Sequence, residues 1–179
     1  AIVRTRTKVR SARREGGIWQ VTIEDRMSGQ SEEISARMLI NAAGPWVDEV
    51  IGKALGKNDA HNVRLVQGSH IIVPRLHRGE HAYIFQNPDG RVVFAIPWQQ
   101  HYTLIGTTDV EWSGDPSAPK ITEAEVDYLC AAVSRWMKNP VAPRDVVAAY
   151  AGIRSLYDDG TANPSQVPRD YVLAFAPRL

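Results

Sequence analysis

A chain of 179 residues that is 44% hydrophobic and 23% charged is long enough, and apolar enough, to bury a sizeable core. Its formal net charge of +1 creates no global field to recruit nucleic acid or an acidic membrane, and its one cysteine excludes an internal disulfide framework and a multi-cysteine metal centre. No apolar run approaches the ~20 residues of a membrane-spanning helix. No charged, then apolar, then cleavable pattern opens the chain, and the lone cysteine fits a reducing, cytoplasmic setting. The chain opens on Ala1 and stops at Leu179 after a strand-like run without a terminating signal, so it is expected to be a piece of a longer protein.

Arg4, Arg6, Lys8 and Arg10 alternate with Thr5, Thr7, Val9 and Ser11. On a strand this places four cations on one face. The simpler reading is a solvated face, because a nucleic-acid ridge would interleave aromatic residues for stacking. Gly16-Gly17 is a two-residue hairpin signal, with Ile18, Val21 and Ile23 on the returning strand. Ser28-Gly29 marks the next turn, and Ile34 to Ile40 reads as a third strand. This meander is scaffold.

Met38-Leu39-Ile40 is expected to end a strand in small residues, after which Gly44 and Pro45 open a helix. Val47, Val50, Ile51 and Leu55 share one face of that helix, and Gly56 stops it. Small residues at such a junction let a ligand approach the backbone, and the helix start favours a phosphate or other acceptor. A tight packing turn explains the same spacing, and the fingerprint G-x-G-x-x-G is not present here.

Val63 to Val73 reads as a strand broken at Gln67-Gly68-Ser69, and glycine inside a strand marks a bulge or a close backbone approach. His70 follows, flanked by Ile71 and Ile72, as either a satisfied core residue or a base in a pocket. Tyr83 to Phe85, Val92 to Ile96 and Tyr102 to Ile105 form a second meander, turned by Pro88-Asp89-Gly90 and Gln99-Gln100. His77 and His81 are four apart, but Pro74 and Gly79 argue against a helix, so they are loop histidines and no metal site is expected. Thr107 and Thr108 end the third strand as pocket-lining or plain strand residues, the second being the simpler reading, with Asp109 bonding a turn.

Thr122-Glu123-Ala124-Glu125 is a capping-box pattern. Val126, Leu129, Cys130, Val133, Trp136 and Met137 recur at helical spacing up to Asn139-Pro140, which makes Cys130 packing and not a nucleophile. Val146 to Ile153 is a long apolar run ending at Arg154, and Arg169 precedes Tyr171-Val172-Leu173. An arginine at the end of a buried strand must be paired or bind something. Its fork matches carboxylate or phosphate oxygens; an ion pair with Asp158, Asp159 or Asp170 is the competing explanation.

Asn-Ala-Ala-Gly-Pro-Trp (41–46), Val-Gln-Gly-Ser-His (66–70), Ile-Gly-Thr-Thr-Asp-Val (105–110), Tyr-Ala-Gly-Ile-Arg (150–154) and Arg-Asp-Tyr (169–171) stand in one order. Together they resemble the FAD-dependent, quinone-linked glycerol-3-phosphate dehydrogenases, over essentially the whole chain from Val9 onward. The resemblance implies oxidation of sn-glycerol 3-phosphate to dihydroxyacetone phosphate, with electrons passed to a quinone. It implies cofactor-binding roles for Ala42, Ala43, Gly44 and Trp46, which border FAD, and catalytic roles for His70 and Arg154. It also implies that Arg154 and Arg169 bind the substrate.

The same resemblance implies a protein on the cytoplasmic side, peripherally associated with the inner membrane in its full length, with no nucleic-acid partner. The family's glycine-rich ADP-binding segment and its later Gly-Lys-Leu-Thr-Thr-type segment are not in this chain, and Ser155 stands where many relatives have proline. The isolated chain is therefore expected neither to hold FAD tightly nor to turn over, so a purified chain is expected to carry no stoichiometric yellow flavin.

Two rival readings are an amine or amino-acid oxidase of the same flavin superfamily and a non-catalytic anion-binding module. The fold is expected to be α+β (mixed α/β). Residues 1–56 would be a three-stranded meander, strand and helix from an FAD-binding domain. Residues 57–179 would be an antiparallel substrate-binding sheet packed by the Thr122–Lys138 helix.

Overall fold

The computed structural model describes residues 1–56, 62–160, 167 and 170. The described residues of Ala1–Val63 form one compact unit and those of Arg64–Arg169 a second. Each is built on an antiparallel sheet, so the chain is α+β as its pattern predicts. No helix among the described residues is long and apolar enough to cross a membrane.

In the first unit, strands β1 (Thr7–Glu15), β2 (Ile18–Asp25) and β3 (Ser31–Ala36) form a meander in that order. Gly16 and Gly17 both take positive φ (56° and 87°), the conformation a tight hairpin turn needs and glycine adopts without steric cost. Alternation on β2 buries Trp19, Val21 and Ile23 against Ala12, with Leu39 and Leu55 packed alongside.

The N-terminal cations do not share one strand face. Arg6 sits at φ 56°, outside β1, and the β1–β2 register shifts between Val9 and Ser11. Arg4 pairs with Glu32 at 2.5 Å and Arg10 with Glu24, which is how a solvated face disposes of its charge.

Two boundaries differ from expectation. The third strand ends at Ala36, and Met38 and Ile40 are 70% and 77% exposed outside any strand. Apolar character alone makes no strand; a ladder partner is needed, and β2 is matched by β3 only from Trp19↔Ala36 to Glu24↔Ser31. The following helix is composite: a 3-10 turn Gly44–Trp46, one α turn α1 (Val47–Glu49) and a π segment Val50–Ala54. Gly56, at φ 69°, closes it through its N–H to the Gly52 carbonyl, as predicted.

Among the described residues, the second unit is a six-stranded sheet. Its elements are β4 (Val63–Pro74), β5 (Tyr83–Gln86), β6 (Val92–Trp98), β7 (Tyr102–Gly106), β8 (Val110–Glu111) and β9 (Ala148–Tyr157). The order is β5-β6-β7-β4-β8, with β9 also paired to β4. Helix α2 (Glu123–Ser134) covers one face. Ile71, Val73, Val93, Ala95, Ile105, Leu129 and Val133 form a core with near-zero exposure, each large side chain contributing about 1.5–3 kcal/mol by leaving water.

Helix α2 stops at Ser134, short of the predicted Lys138. The Ser134 hydroxyl donates to the Cys130 carbonyl at 2.7 Å and accepts the Val141 N–H at 2.8 Å, turning the chain there. Cys130 is buried packing, and burial pushes its thiol above the ordinary range.

Strand β9 is also not the buried strand expected. It is largely exposed and runs three residues past Arg154 to Tyr157. The alanines and Gly152 that make its sequence look apolar have little surface to bury.

Candidate active site

Strand β4 frames the site because successive residues face opposite sides of the sheet. Gln67 and Ser69 point toward α2 and are buried; Gly68 and His70 point to the open face. Contrary to expectation β4 is unbroken at Gly68. The irregularity lies in the strand beside it, where the register passes from His70↔Gly106 to Gln67↔Val110. Two residues of β4, Gly68 and Ser69, thus oppose three, Thr107, Thr108 and Asp109, which makes 107–109 a bulge.

His70 lies half-buried on the open face, over its cross-strand partner. A Cβ on Gly106 would stand 2.7 Å from His70 Cγ and 2.7 Å from Nε2, so the ring rests directly on that backbone. Tyr150 of β9 stacks on it, with ring centroids 4.9 Å apart and planes 6° from parallel. Nδ1 is buried without a hydrogen-bond partner. Burial, and then the Arg154 charge, hold the imidazole below its ordinary value of 6.5, so it is neutral at pH 7. A neutral, partly exposed imidazole is a competent proton acceptor.

Arg154 reaches the bulge across Gly68. A Cβ on Gly68 would stand 2.5 Å from the guanidinium carbon and 2.6 Å from Thr107 Oγ1. The guanidinium donates to Asp109 Oδ1 at 2.7 Å, Thr107 Oγ1 at 2.6 Å, and the Thr108 carbonyl at 3.3 and 3.4 Å. Arg154 keeps 26% of its side-chain surface exposed, whereas Asp109 keeps 8%. The ion pair joins Arg154 to Asp109, the residue expected merely to bond a turn. Pairing fixes the fork in place and leaves it at the surface beside the imidazole.

Behind this face lies a residue that sequence reasoning used only as a cap. Glu125 is 6% exposed and its carboxylate accepts five hydrogen bonds. They come from Ser69 Oγ and Thr108 Oγ1 (both 2.7 Å), Gln67 Nε2 and Thr122 N (both 2.9 Å), and Thr122 Oγ1 (3.0 Å). Burial alone would raise its pKa, but hydrogen bonds from Ser69, Thr122, Thr108 and Gln67 outweigh that and hold it below 4.5. A signal was available: Gln67 and Ser69 sit on the buried face of an apolar strand, and buried polar groups need partners.

Residues 42–46, in the first unit, form the loop and 3-10 turn before α1. Asn41 organises them: its amide donates to the Val47 carbonyl at 3.0 Å and its oxygen accepts the Ala43 N–H at 3.2 Å. Gly44 takes φ 55°, and Trp46 is 39% exposed. Ala42 and Ala43 border a small apolar cleft of about 150 Å³ with Val9, Ala12, Leu39 and Val50. Arg169 lies outside the described residues. Among those described, no group of three or more metal-ligating side chains converges, and His77 and His81 lie in a loop.

The profile of the family described as "DAO: FAD dependent oxidoreductase" matches residues 1–176. The chain belongs to this family. It is 48% identical over 176 residues to a glycerol-3-phosphate dehydrogenase of Pseudomonas aeruginosa, covering 98% of this chain and 34% of that protein. It is 45% identical over 172 residues to a D-erythritol 1-phosphate dehydrogenase of Brucella abortus, covering 96% and 34%.

A crystal structure of the glycerol-3-phosphate dehydrogenase from Bacillus halodurans complexed with FAD superimposes with a TM-score of 0.71 at 31% identity. That match covers 87% of this chain and 32% of the other. The chain thus spans about a third of the length of the curated relatives it matches.

Proposed function

We propose that this chain supplies the substrate-facing sheet of a flavoprotein that oxidises sn-glycerol 3-phosphate to dihydroxyacetone phosphate. One observation carries the reading: a half-buried, neutral His70 and the Arg154–Asp109 pair stand side by side on one open sheet face, each seated on a glycine. Relatives named as dehydrogenases of polyol phosphates, at 45–48% identity, support the substrate class.

The residues present suit FAD. On the same sheet face as His70, two strands away, β6 carries Phe94, Ile96 and Trp98, 37–39% exposed, an apolar platform suited to a planar ring. The Arg154 guanidinium, with 26% of its side-chain surface exposed, gives that face a polar group. In this reading Ala42, Ala43, Gly44 and Trp46 would border the cofactor, residues 1–56 being part of an FAD-binding domain. Bound FAD supplies the acceptor for the hydride that leaves C2 of the alcohol.

The chain's own residues handle the proton and the charge. His70, neutral at working pH, takes or relays the C2 hydroxyl proton. Arg154 stabilises the oxygen as negative charge develops on it or anchors the phosphate, and Asp109 and Thr107 keep the fork from swinging away. Arg169 binds the phosphate. Electrons then pass to a quinone, with the full-length protein held peripherally on the cytoplasmic face of a membrane.

D-Erythritol 1-phosphate is a second substrate reading, because the relative of that name is nearly as similar as the first. Steady-state assays of the full-length flavoprotein with glycerol 3-phosphate, erythritol 1-phosphate and small amino acids decide among them. The expected result is the highest kcat/KM with glycerol 3-phosphate and none with amino acids. Turnover of amino acids alone would make the protein an amino-acid oxidase.

A further inference from the structure

We propose that Glu125 is a positioning residue for the polyol-phosphate oxidation: from behind the sheet it sets the conformation of the 107–109 bulge that holds Arg154. The proposal rests on the functional reading above. A capping-box glutamate has to satisfy only the first turn of its own helix. Glu125 does so through Thr122 N and Thr122 Oγ1, and it also takes Gln67 Nε2, Ser69 Oγ and Thr108 Oγ1. Those three belong to β4 and to the bulge, on the opposite side of the sheet layer from the candidate site.

Thr108 is the link. Its hydroxyl accepts the Ser69 N–H at 2.9 Å, a donor opposite the bulge, and gives its own proton to Glu125. Its carbonyl faces the other way and accepts from the Arg154 guanidinium. Thr107 and Asp109, on either side, also accept from the fork. Rotating the bulge to satisfy Thr108 differently would therefore move three of the guanidinium's acceptors at once.

An ionised carboxylate accepts from all five donors at once. A glutamine amide in place of Oε1 would have to donate to the Ser69 and Thr108 hydroxyls, whose own protons then lose their acceptor. Burial of Ser69, Thr108 and Gln67 at 0–2% exposure keeps water from substituting.

The test uses the full-length holoenzyme. Glu125→Gln lowers kcat/KM for glycerol 3-phosphate at least tenfold, while Val133→Ala, which loosens α2 without touching the network, stays within twofold of wild type at an equal or larger loss of Tm. In an Arg154→Ala background the Glu125→Gln effect shrinks to less than twofold, because the group it positions is gone. Thr108→Val, which cuts the link while keeping the volume, reproduces the Glu125→Gln loss and serves if that variant does not fold.

An activity-independent reading comes from histidine-selective NMR: displacing Arg154 relieves its charge on His70, so Glu125→Gln moves the His70 titration upward as Arg154→Ala does. Activity losses that simply track Tm, or that persist undiminished without Arg154, overturn the proposal. So does an unmoved His70 titration. If wild-type enzyme oxidises no polyol phosphate but the titration shifts as described, the substrate reading fails and the positioning role stands.

Discussion

Two glycines decide what the site's two polar side chains can do. Gly106 lets the imidazole lie on the backbone, and Gly68 lets the guanidinium cross β4 to the bulge. Gly106→Ala should therefore push the ring aside, lowering kcat/KM by about tenfold or more, since a displacement near 1 Å can cost about 10²-fold. Its effect on Tm should be small, because alanine is otherwise the better strand residue.

The charges at this scale predict a pH effect as well. Burial, then Arg154, depress the His70 pKa, so the acid limb of kcat/KM lies below pH 6.5. Arg154→Ala removes the second cause, and the limb of its residual activity should move to higher pH. His70 stood out in the sequence as a polar residue near Gly68 in an apolar strand, and Arg154 as a charge ending an apolar run. Asp109 did not, because no local pattern announces an ion-pair partner 45 residues away.

At the scale of elements, turns were the most legible feature. Gly16-Gly17 and Pro88-Asp89-Gly90 fall where the hairpins turn, and Gln99-Gln100 turns as well, at φ 45° and 62°. Turn chemistry is local, so sequence carries it. Strand limits were less legible because pairing decides them: Met38 to Ile40 look like a strand but lie beyond the β2–β3 ladder.

Helix α2 shows how a local pattern can hide a distant one. Thr122 and Glu125 form the predicted capping box, and that sufficed to explain a glutamate whose other partners are 17 to 58 residues away. Its depressed pKa adds stability that is fully present above pH 4.5 and is lost as the pH falls through the lower folded value. Glu125→Gln should be less stable than wild type at pH 7, and the difference in Tm should narrow as the pH is taken below 4.5. A constant difference across that range would mean that the carboxylate's charge is not what the network uses.

For the whole molecule, the α+β class and the sheet-plus-helix plan of the second unit followed from periodicity and turn spacing. Five motifs in one order resemble FAD-dependent glycerol-3-phosphate dehydrogenases, and the match over residues 1–176 establishes the broader FAD dependent oxidoreductase family. What periodicity could not reveal is that Phe94, Ile96 and Trp98 of β6, on the face away from α2 that also carries His70, stay 37–39% exposed. On a strand an apolar residue facing a cofactor and one facing a core look alike.

The role of His70 on that face is tested most directly by anaerobic flavin reduction in the full-length protein. Mixed with glycerol 3-phosphate, wild-type protein should bleach its flavin absorbance in a single turnover. The His70→Ala variant should bind the substrate within a few-fold of wild type and bleach about 10²–10⁴ times more slowly, the range expected for losing a general base. Bleaching of His70→Ala at the wild-type rate would contradict the central role given to this histidine.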